Sequence, residues 1–339
     1  MTVLDGVGLV LFAIVPGLVA LELARCVYLE TRRDRVPILL YHRLISGERA
    51  RRGEVRDDEP IYAAYDDVFA EQMEYLHRAG YATLSLDELR AARNGGCLTA
   101  GRSVVITFDD GYESNHSLAF PALRRFGQKA TIFVAPEPDA HTRALVAGVD
   151  GFLSAEQMRE LDANGVAIES HTLTHCILNE LPEAAARHEL VESKRRLSEI
   201  LGRPVRHLAI PRAGYSRGVR SLAIAAGYET ICCNNKGTSN GRSDLYALPR
   251  IVIERDMSVA EFAALLRPRT GVVLRVVGNI KRIPERLLGA RRARAIRQWL
   301  YHGPAAGLFV TRRLKRVVAG AAVAYAAAGL FFYHQWLSR

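Results

Sequence analysis

The run Val104-Val105-Ile106-Thr107-Phe108-Asp109-Asp110-Gly111 decides how the rest of the chain is read. Its first five residues are apolar or β-branched and make a strand candidate. Two adjacent carboxylates follow at the strand end. Holding them together is expensive unless a cation or a proton separates their charge. Taken alone, Asp-Asp-Gly is also the composition of an ordinary turn, so the surrounding pattern has to discriminate.

Working outward, similar β-branched runs lie at residues 37–41, 131–134, 166–169, 207–210, 230–233 and 251–253. Helix starts are signalled by capping boxes at Ser85/Glu88, Ser154/Gln157 and Ser258/Glu261. A helix is expected over 115–126, with Leu118, Ala119, Ala122, Leu123 and Phe126 on one face before Gly127 closes it. Residues 48–59 read as a charged, loop-like insertion. Strand–helix alternation over about 230 residues implies an α/β fold with a parallel sheet or barrel. Active groups in such folds gather at the C-terminal strand ends.

That rule brings in a second segment. The strand candidate at 166–169 runs into Ser170-His171-Thr172-Leu173-Thr174-His175. Two imidazoles four residues apart, just past a strand, can bind one metal. The zincin pattern H-E-x-x-H is absent. Because both segments follow strands, they can share one rim, setting a carboxylate and two imidazoles around one cation with positions left open. This is the ligand set of a hydrolytic or an oxygenase centre.

Thr107–Gly111 (TFDDG) followed by His171–His175 (HTLTH) resembles the first two motifs of the polysaccharide deacetylases, the NodB-homology group. The resemblance covers residues 36–266. It implies a distorted (β/α) barrel and metal-assisted removal of an N-acyl group from an amino sugar. By motif position, Asp109 is the expected general base. Asp110, His171 and His175 are expected to hold a divalent metal, with zinc the default. Many family members carry their acid in a late L-x-L-H-like motif, but residues 245–254 (LYALPRIVIE) contain no histidine. Leu39-Leu40-Tyr41-His42 instead resembles the Tyr-His motif of an exopolysaccharide-deacetylase subgroup, which makes His42 the expected acid. A hydrogen-bonded strand-end histidine is the alternative. Residues 209–215 (AIPRAGY) resemble the third motif, with Arg212 after its proline rather than an arginine before it. Arg250, in Leu-Pro-Arg-Ile, either orients Asp109 or forms an ordinary salt bridge.

Composition frames these motifs. The 339 residues are 49% hydrophobic and 24% charged, with zero mean hydropathy, which excludes a disordered chain and a polytopic channel. Five cysteines show no C-x-x-C spacing and fit a reducing compartment. The net charge of +10 is confined: residues 267–316 hold fourteen Lys/Arg and one acid, Glu285. Ile280, Ile283, Leu287, Leu288, Ile296, Trp299 and Leu300 recur among those arginines. Such a segment is either amphipathic and bound to an anionic membrane surface or a solvated linker. No zinc finger or RNA-binding aromatic signature accompanies the charge, so no nucleic-acid partner is expected.

Both ends are apolar. Residues 317–337 carry no charge and have the length of a bilayer span, with a buried C-terminal helix as the alternative. Residues 6–21 read as a short or interfacial anchor broken by Pro16 and Gly17. Arg25, Arg32, Arg33 and Arg35 follow the first run, while Arg312, Arg313, Lys315 and Arg316 precede the second. The positive-inside bias then keeps the middle of the chain cytoplasmic. The expected organisation is an anchor at 1–35, a catalytic domain at 36–266, a basic membrane-proximal segment at 267–316 and a transmembrane helix at 317–339. Three functions fit: a deacetylase of a lipid-linked amino sugar at the cytoplasmic face, the same chemistry on an exported polysaccharide, or a non-catalytic membrane scaffold. The oligomeric state is not readable from the sequence.

Overall fold

The computed structural model describes residues 15–54, 63–93, 102–234, 237–255 and 257–281. The chain divides into a larger unit, Arg32–Arg267, and a smaller one whose described residues are 15–31 and 268–281.

The larger unit is built on eleven described strands: β1 Ile38–Tyr41, β2 Leu44–Ile45, β3 Ala64–Tyr65, β4 Ala82–Thr83, β5 Ser103–Phe108, β6 Ala130–Val134, β7 Val166–Ser170, β8 His207–Ala209, β9 Thr230–Cys233, β10 Leu248–Pro249 and β11 Ile251–Val252. Nine form one sheet in the order β10-β9-β8-β7-β6-β5-β1-β11, with β4 against the start of β5. Every pairing between them is parallel. β10 and β11 end that order on opposite sides, yet only Arg250 separates them along the chain. Leu248 and Pro249 pair with β9, while Ile251 and Val252 pair with β1. The sheet thus curls into a nearly closed barrel whose seam is Arg250. The strand expected at 251–253 is β11; the short piece β10 just before it was not expected and faces a different neighbour.

Every residue of β1, β5, β6 and β9 is buried. Strands covered on both faces have no polar side to alternate with, which is why they read as continuous apolar runs. Ile38, Val105, Phe133, Ala209, Cys232 and Leu248, from six strands around the ring, belong to one buried cluster and fill the barrel. Leu86 and Leu89 of the helix Leu86–Arg93 join it. The three predicted capping boxes are all present as reciprocal hydrogen bonds.

The helix expected over 115–126 differs at its start. Asn115–Ala119 is a π turn, closed by Phe120 N–H donating to Asn115 O, and a regular helix then runs Phe120–Arg125. Pro121 has no N–H to return to the preceding turn, so the backbone widens there.

The smaller unit pairs the helices Val15–Glu30 and Pro268–Lys281. Pro16 and Gly17 sit within the first turn, where proline is tolerated, so the helix runs on through Glu22, Arg25 and Glu30. Fully buried Glu30 takes Arg275 Nε at 2.7 Å, and Glu22 accepts from Asn279 at 2.6 Å. Leu18, Leu21, Val27, Tyr28 and Val273 are exposed. Among the described residues, no helix is long and apolar enough to cross a membrane. The proposed C-terminal span at 317–339, most of the 267–316 segment and residues 6–14 lie outside the described residues.

Candidate active site

The site is assembled at the C-terminal ends of β5 and β7, with β1 and the seam alongside. Asp109 and Asp110 leave β5 in sequence, but the backbone turns sharply between them: Asp110 has φ 76° and Gly111 φ 73°. A Cβ on Gly111 would sit 3.0 Å from both Val134 methyl groups, so only glycine fits the second of these positions. The turn sends the two carboxylates to different partners.

Asp109 is gripped by Arg250. Nη1 donates to Oδ1 at 2.6 Å and Nη2 to Oδ2 at 2.7 Å, a bidentate fork between two buried groups. Arg250 Nη2 also donates to Asn234 Oδ1 at 3.2 Å, and the guanidinium lies 5.6 Å from the Phe133 ring centroid. Burial alone would raise the Asp109 pKa, but Arg250 and then His171 outweigh it and hold the carboxyl below its ordinary value. Arg250 therefore orients Asp109 and keeps it ionised.

Asp110 faces the imidazoles. Its Oδ1 lies 3.1 Å from His175 Nε2 and 3.4 Å from His171 Nε2. Burial opposes ionisation here too. The two histidine contacts overcome it, leaving Asp110 well below the carboxylate range. Burial would likewise lower His171, yet the adjacent Asp109 and Asp110 raise it above its ordinary value.

The loop that carries the histidines is fixed from outside. Glu189, on the helix Glu183–Leu201, accepts from Leu173 N and Thr174 N at 3.0 Å each and from Thr174 Oγ1 at 2.8 Å. His175 N donates to Thr172 Oγ1 at 3.1 Å. Thr172 and His175 both take left-handed backbone, φ 67° each, which the Glu189 carboxylate holds in place.

Asp110, His171 and His175 each offer one ligand atom, and these lie within 4.8 Å of one another. Two donors bound tetrahedrally to zinc at ~2.0–2.1 Å stand about 3.3 Å apart. The separations of 3.1 and 3.4 Å from the Asp110 oxygen fit that requirement. Both Nε2 atoms face the carboxylate, while His171 Nδ1 meets the Ala209 carbonyl oxygen at 2.9 Å, which places its proton away from the cluster. The three residues fit a divalent cation.

His42 follows β1. Because Tyr41 pairs with Phe108, His42 and Asp109 leave neighbouring strands side by side. Asp109 N donates to Tyr41 O at 3.0 Å, and Asn115 Nδ2 donates to the His42 carbonyl at 2.8 Å. Burial pushes the imidazole below its ordinary pKa, against the pull of Asp110 and Asp109. The structure therefore gathers all six predicted residues (Asp109, Asp110, His171, His175, Arg250 and His42) onto one end of the barrel. Sequence reasoning left Asn115 open between a rim residue and the start of the following helix, and it missed Asn234 and Glu189. Asn234 and Glu189 act through neighbours distant in sequence, and neither sits in a local pattern that signals it.

Comparison with known proteins agrees with this geometry. The polysaccharide deacetylase family model matches residues 98–231. YxkH of Bacillus subtilis (strain 168), which carries the name of a polysaccharide deacetylase, is 30% identical over 232 residues, covering 68% of this chain and 76% of that protein. The poly-β-1,6-N-acetyl-D-glucosamine N-deacetylase of Escherichia coli (strain K12) is 26% identical over 241 residues; the match spans 61% of this chain but only 36% of the E. coli protein. Among solved structures, the Streptococcus pyogenes deacetylase PplD in complex with acetate superposes with a TM-score of 0.60 at 25% identity, covering 69% of this chain and 99% of that one. IcaB from Ammonifex degensii shares the fold with a TM-score of 0.55 at 21% identity, over 70% and 98% of the two chains. The chain belongs to the polysaccharide deacetylases, hydrolases that act on the carbon–nitrogen bond of N-acetyl groups.

Proposed function

We propose that this protein is a metal-dependent deacylase that removes an N-acetyl or N-formyl group from an amino sugar at a membrane. The observation that carries the reading is the division of labour at the end of β5. Asp110 faces two imidazole Nε2 atoms, while Asp109 is turned onto the Arg250 fork.

In this reading Asp109 accepts the proton of the attacking water, a role suited to a carboxylate that Arg250 keeps ionised and aimed. His42 gives a proton to the departing amine; burial disfavours its protonated form, and the nearby Asp110 and Asp109 favour it. A divalent cation held by Asp110, His171 and His175 would polarise the acyl carbonyl and lower the pKa of the attacking water. Zinc is the first candidate, since these ligand types with open positions suit its hydrolytic sites.

The substrate reading has two branches. The name of the E. coli relative supports a polymeric N-acetylglucosamine substrate. The exposed apolar side chains of Val15–Glu30, together with the basic segment and apolar run that follow Lys281 in sequence, support a lipid-linked amino sugar on an anionic membrane. The arginine-rich flanks favour a catalytic unit on the cytoplasmic side of that membrane.

The test is an assay of acetate or formate released by the purified protein from polymeric and lipid-linked amino sugars. Turnover on one of them is expected to fall by ~10²–10⁴-fold in Asp109→Asn, with the bound-metal stoichiometry unchanged. Wild-type turnover in that variant removes Asp109 from the base role. Absence of release from every amino-sugar substrate removes the deacylase reading itself.

A further inference from the structure

His42 stands where the chain leaves the barrel sheet. The β1 pairings end at Leu40 opposite Val252 and at Tyr41 opposite Phe108, and Asp109 N donates to Tyr41 O at 3.0 Å. β2 begins at Leu44 and pairs with β3, in a separate two-stranded sheet. His42 and Arg43 cross from one sheet to the other and belong to neither strand.

At this crossing, side chains meet three successive residues. Asn115 Nδ2 donates to the His42 carbonyl at 2.8 Å. Asp150 Oδ2 lies 3.7 Å from Arg43 Nε, an ion pair buried on both sides. Leu44 N donates to Ser114 Oγ at 3.0 Å. These supports are also tied to one another. Asp150 Oδ1 accepts from Ser114 N at 3.2 Å and from Gly151 N at 2.8 Å, while Glu113 N donates to Gly151 O at 2.9 Å. Ser114 and Asn115 are both buried. The His42 carbonyl can only accept, so it must face the amide nitrogen of Asn115 and not its oxygen.

Backbone conformation singles out the same segment. Asn115 opens the π turn Asn115–Ala119. Such a turn carries one residue more than a regular one, and π turns recur at functional sites. Ser114 and Asn115 follow the Asp109-Asp110-Gly111 turn directly along the chain. The exit from β5 thus supplies Asp109 itself and two of the side chains that hold the His42 segment, so both residues are referenced to one element.

We propose that Ser114, Asn115 and Asp150 form a clamp that positions His42 for proton transfer, by fixing residues 42–44 against the exit of β5. A general acid must come within hydrogen-bond reach of the departing nitrogen. A misplacement of ~1 Å is enough to cost ~10²-fold in rate, and a two-residue crossing between sheets is where such a displacement is easiest. The three are positioning residues that act through His42. The inference rests on the acid role of His42 in the reading above.

The experiment is a double-mutant cycle on the full-length protein, read as kcat and KM on the amino-sugar amide that the release assay above identifies, with Zn²⁺ affinity measured alongside by competition with a chelator. Asn115→Leu keeps the branched shape and removes the donor. It is expected to lower kcat ~10²-fold with KM and Zn²⁺ affinity unchanged. Added to His42→Ala, it should cost nothing further, because the clamp acts through the imidazole. Ser114→Ala, which takes away the acceptor for Leu44 N, should lower kcat in the same direction by a smaller factor. A wild-type protein that hydrolyses no amino-sugar amide, or a His42→Ala variant with wild-type turnover, overturns the acid reading on which the clamp rests. A slow His42→Ala variant beside a folded Asn115→Leu variant of wild-type kcat overturns the clamp alone. So does full additivity of the two substitutions, which is the signature of a merely structural role. If Asn115→Leu does not fold, Ser114→Ala decides by the same cycle: a lower kcat that His42→Ala masks supports the clamp, and an unchanged or additive one overturns it.

Discussion

Asp109 and Asp110 are adjacent in sequence and identical in type, yet their neighbours give them different work. The Arg250 fork is a buried pair, so removing one partner leaves an uncompensated charge in the barrel. Arg250→Met is expected to destabilise the protein by ~3–5 kcal/mol in urea unfolding, and adding Asp109→Asn should recover part of that loss. An additive double variant would show the pair to be uncoupled. The Asp110–histidine cluster instead makes a pH-dependent contribution. His171 has its pKa raised above the ordinary 6.5, so its contribution to metal-free stability is complete below that value and is lost as pH rises through the raised pKa. Asp110 is depressed, so its contribution is present above 3.8 and is lost as pH falls through its folded value. A cation must displace the His171 proton. Metal affinity is therefore expected to climb with pH through that raised pKa, with proton release visible by calorimetry in buffers of different ionisation enthalpy. Binding without proton release contradicts the assignment of His171 as a ligand.

At the scale of elements, what was legible in the sequence and what was not divide along physical lines. Strands buried on both faces announce themselves as continuous β-branched runs, so β1, β5, β6, β7, β8 and β9 could be located without a structure, and β11 was legible within 251–253. β2, β3, β4 and β10 are two residues each, too short to carry a period, and are defined by their neighbours rather than by their composition. The ligand segments were legible because each follows such a run. The supports behind them were not. Glu189 reaches the histidine loop from the middle of a 19-residue helix, and nothing in that helix distinguishes it from the other glutamates. Glu189→Ala would free the amides of Leu173 and Thr174 in a loop with two left-handed residues, at a cost of about 1–3 kcal/mol for each buried donor left unmade. The expected signature is faster hydrogen exchange across 171–175, ahead of any change in the β5 amides. Uniform protection as in the wild type would show that the loop holds itself.

For the whole molecule, the orientation of the catalytic unit can be tested directly. Two of its thiols are poor reporters: burial pushes Cys232 and Cys176 up to about 12, so little thiolate exists on them at neutral pH. An Arg78→Cys variant places a thiol where the side chain is 78% exposed. With the unit on the cytoplasmic side, a membrane-impermeant maleimide should label that cysteine only after lysis; labelling in intact cells reverses the orientation. The seam residue bears on a different question, that of timing. Arg250 and Asp109 are 141 residues apart in the chain, and their contact forms only when the last strand pieces dock on β9 and β1 together. Asp110, His171 and His175 all precede that stretch, so a chain emerging from the ribosome carries these three residues before Asp109 can be locked in place. In the reading proposed above, hydrolytic competence would then wait for the closure of the barrel, because the residue at the seam is the one that orients Asp109.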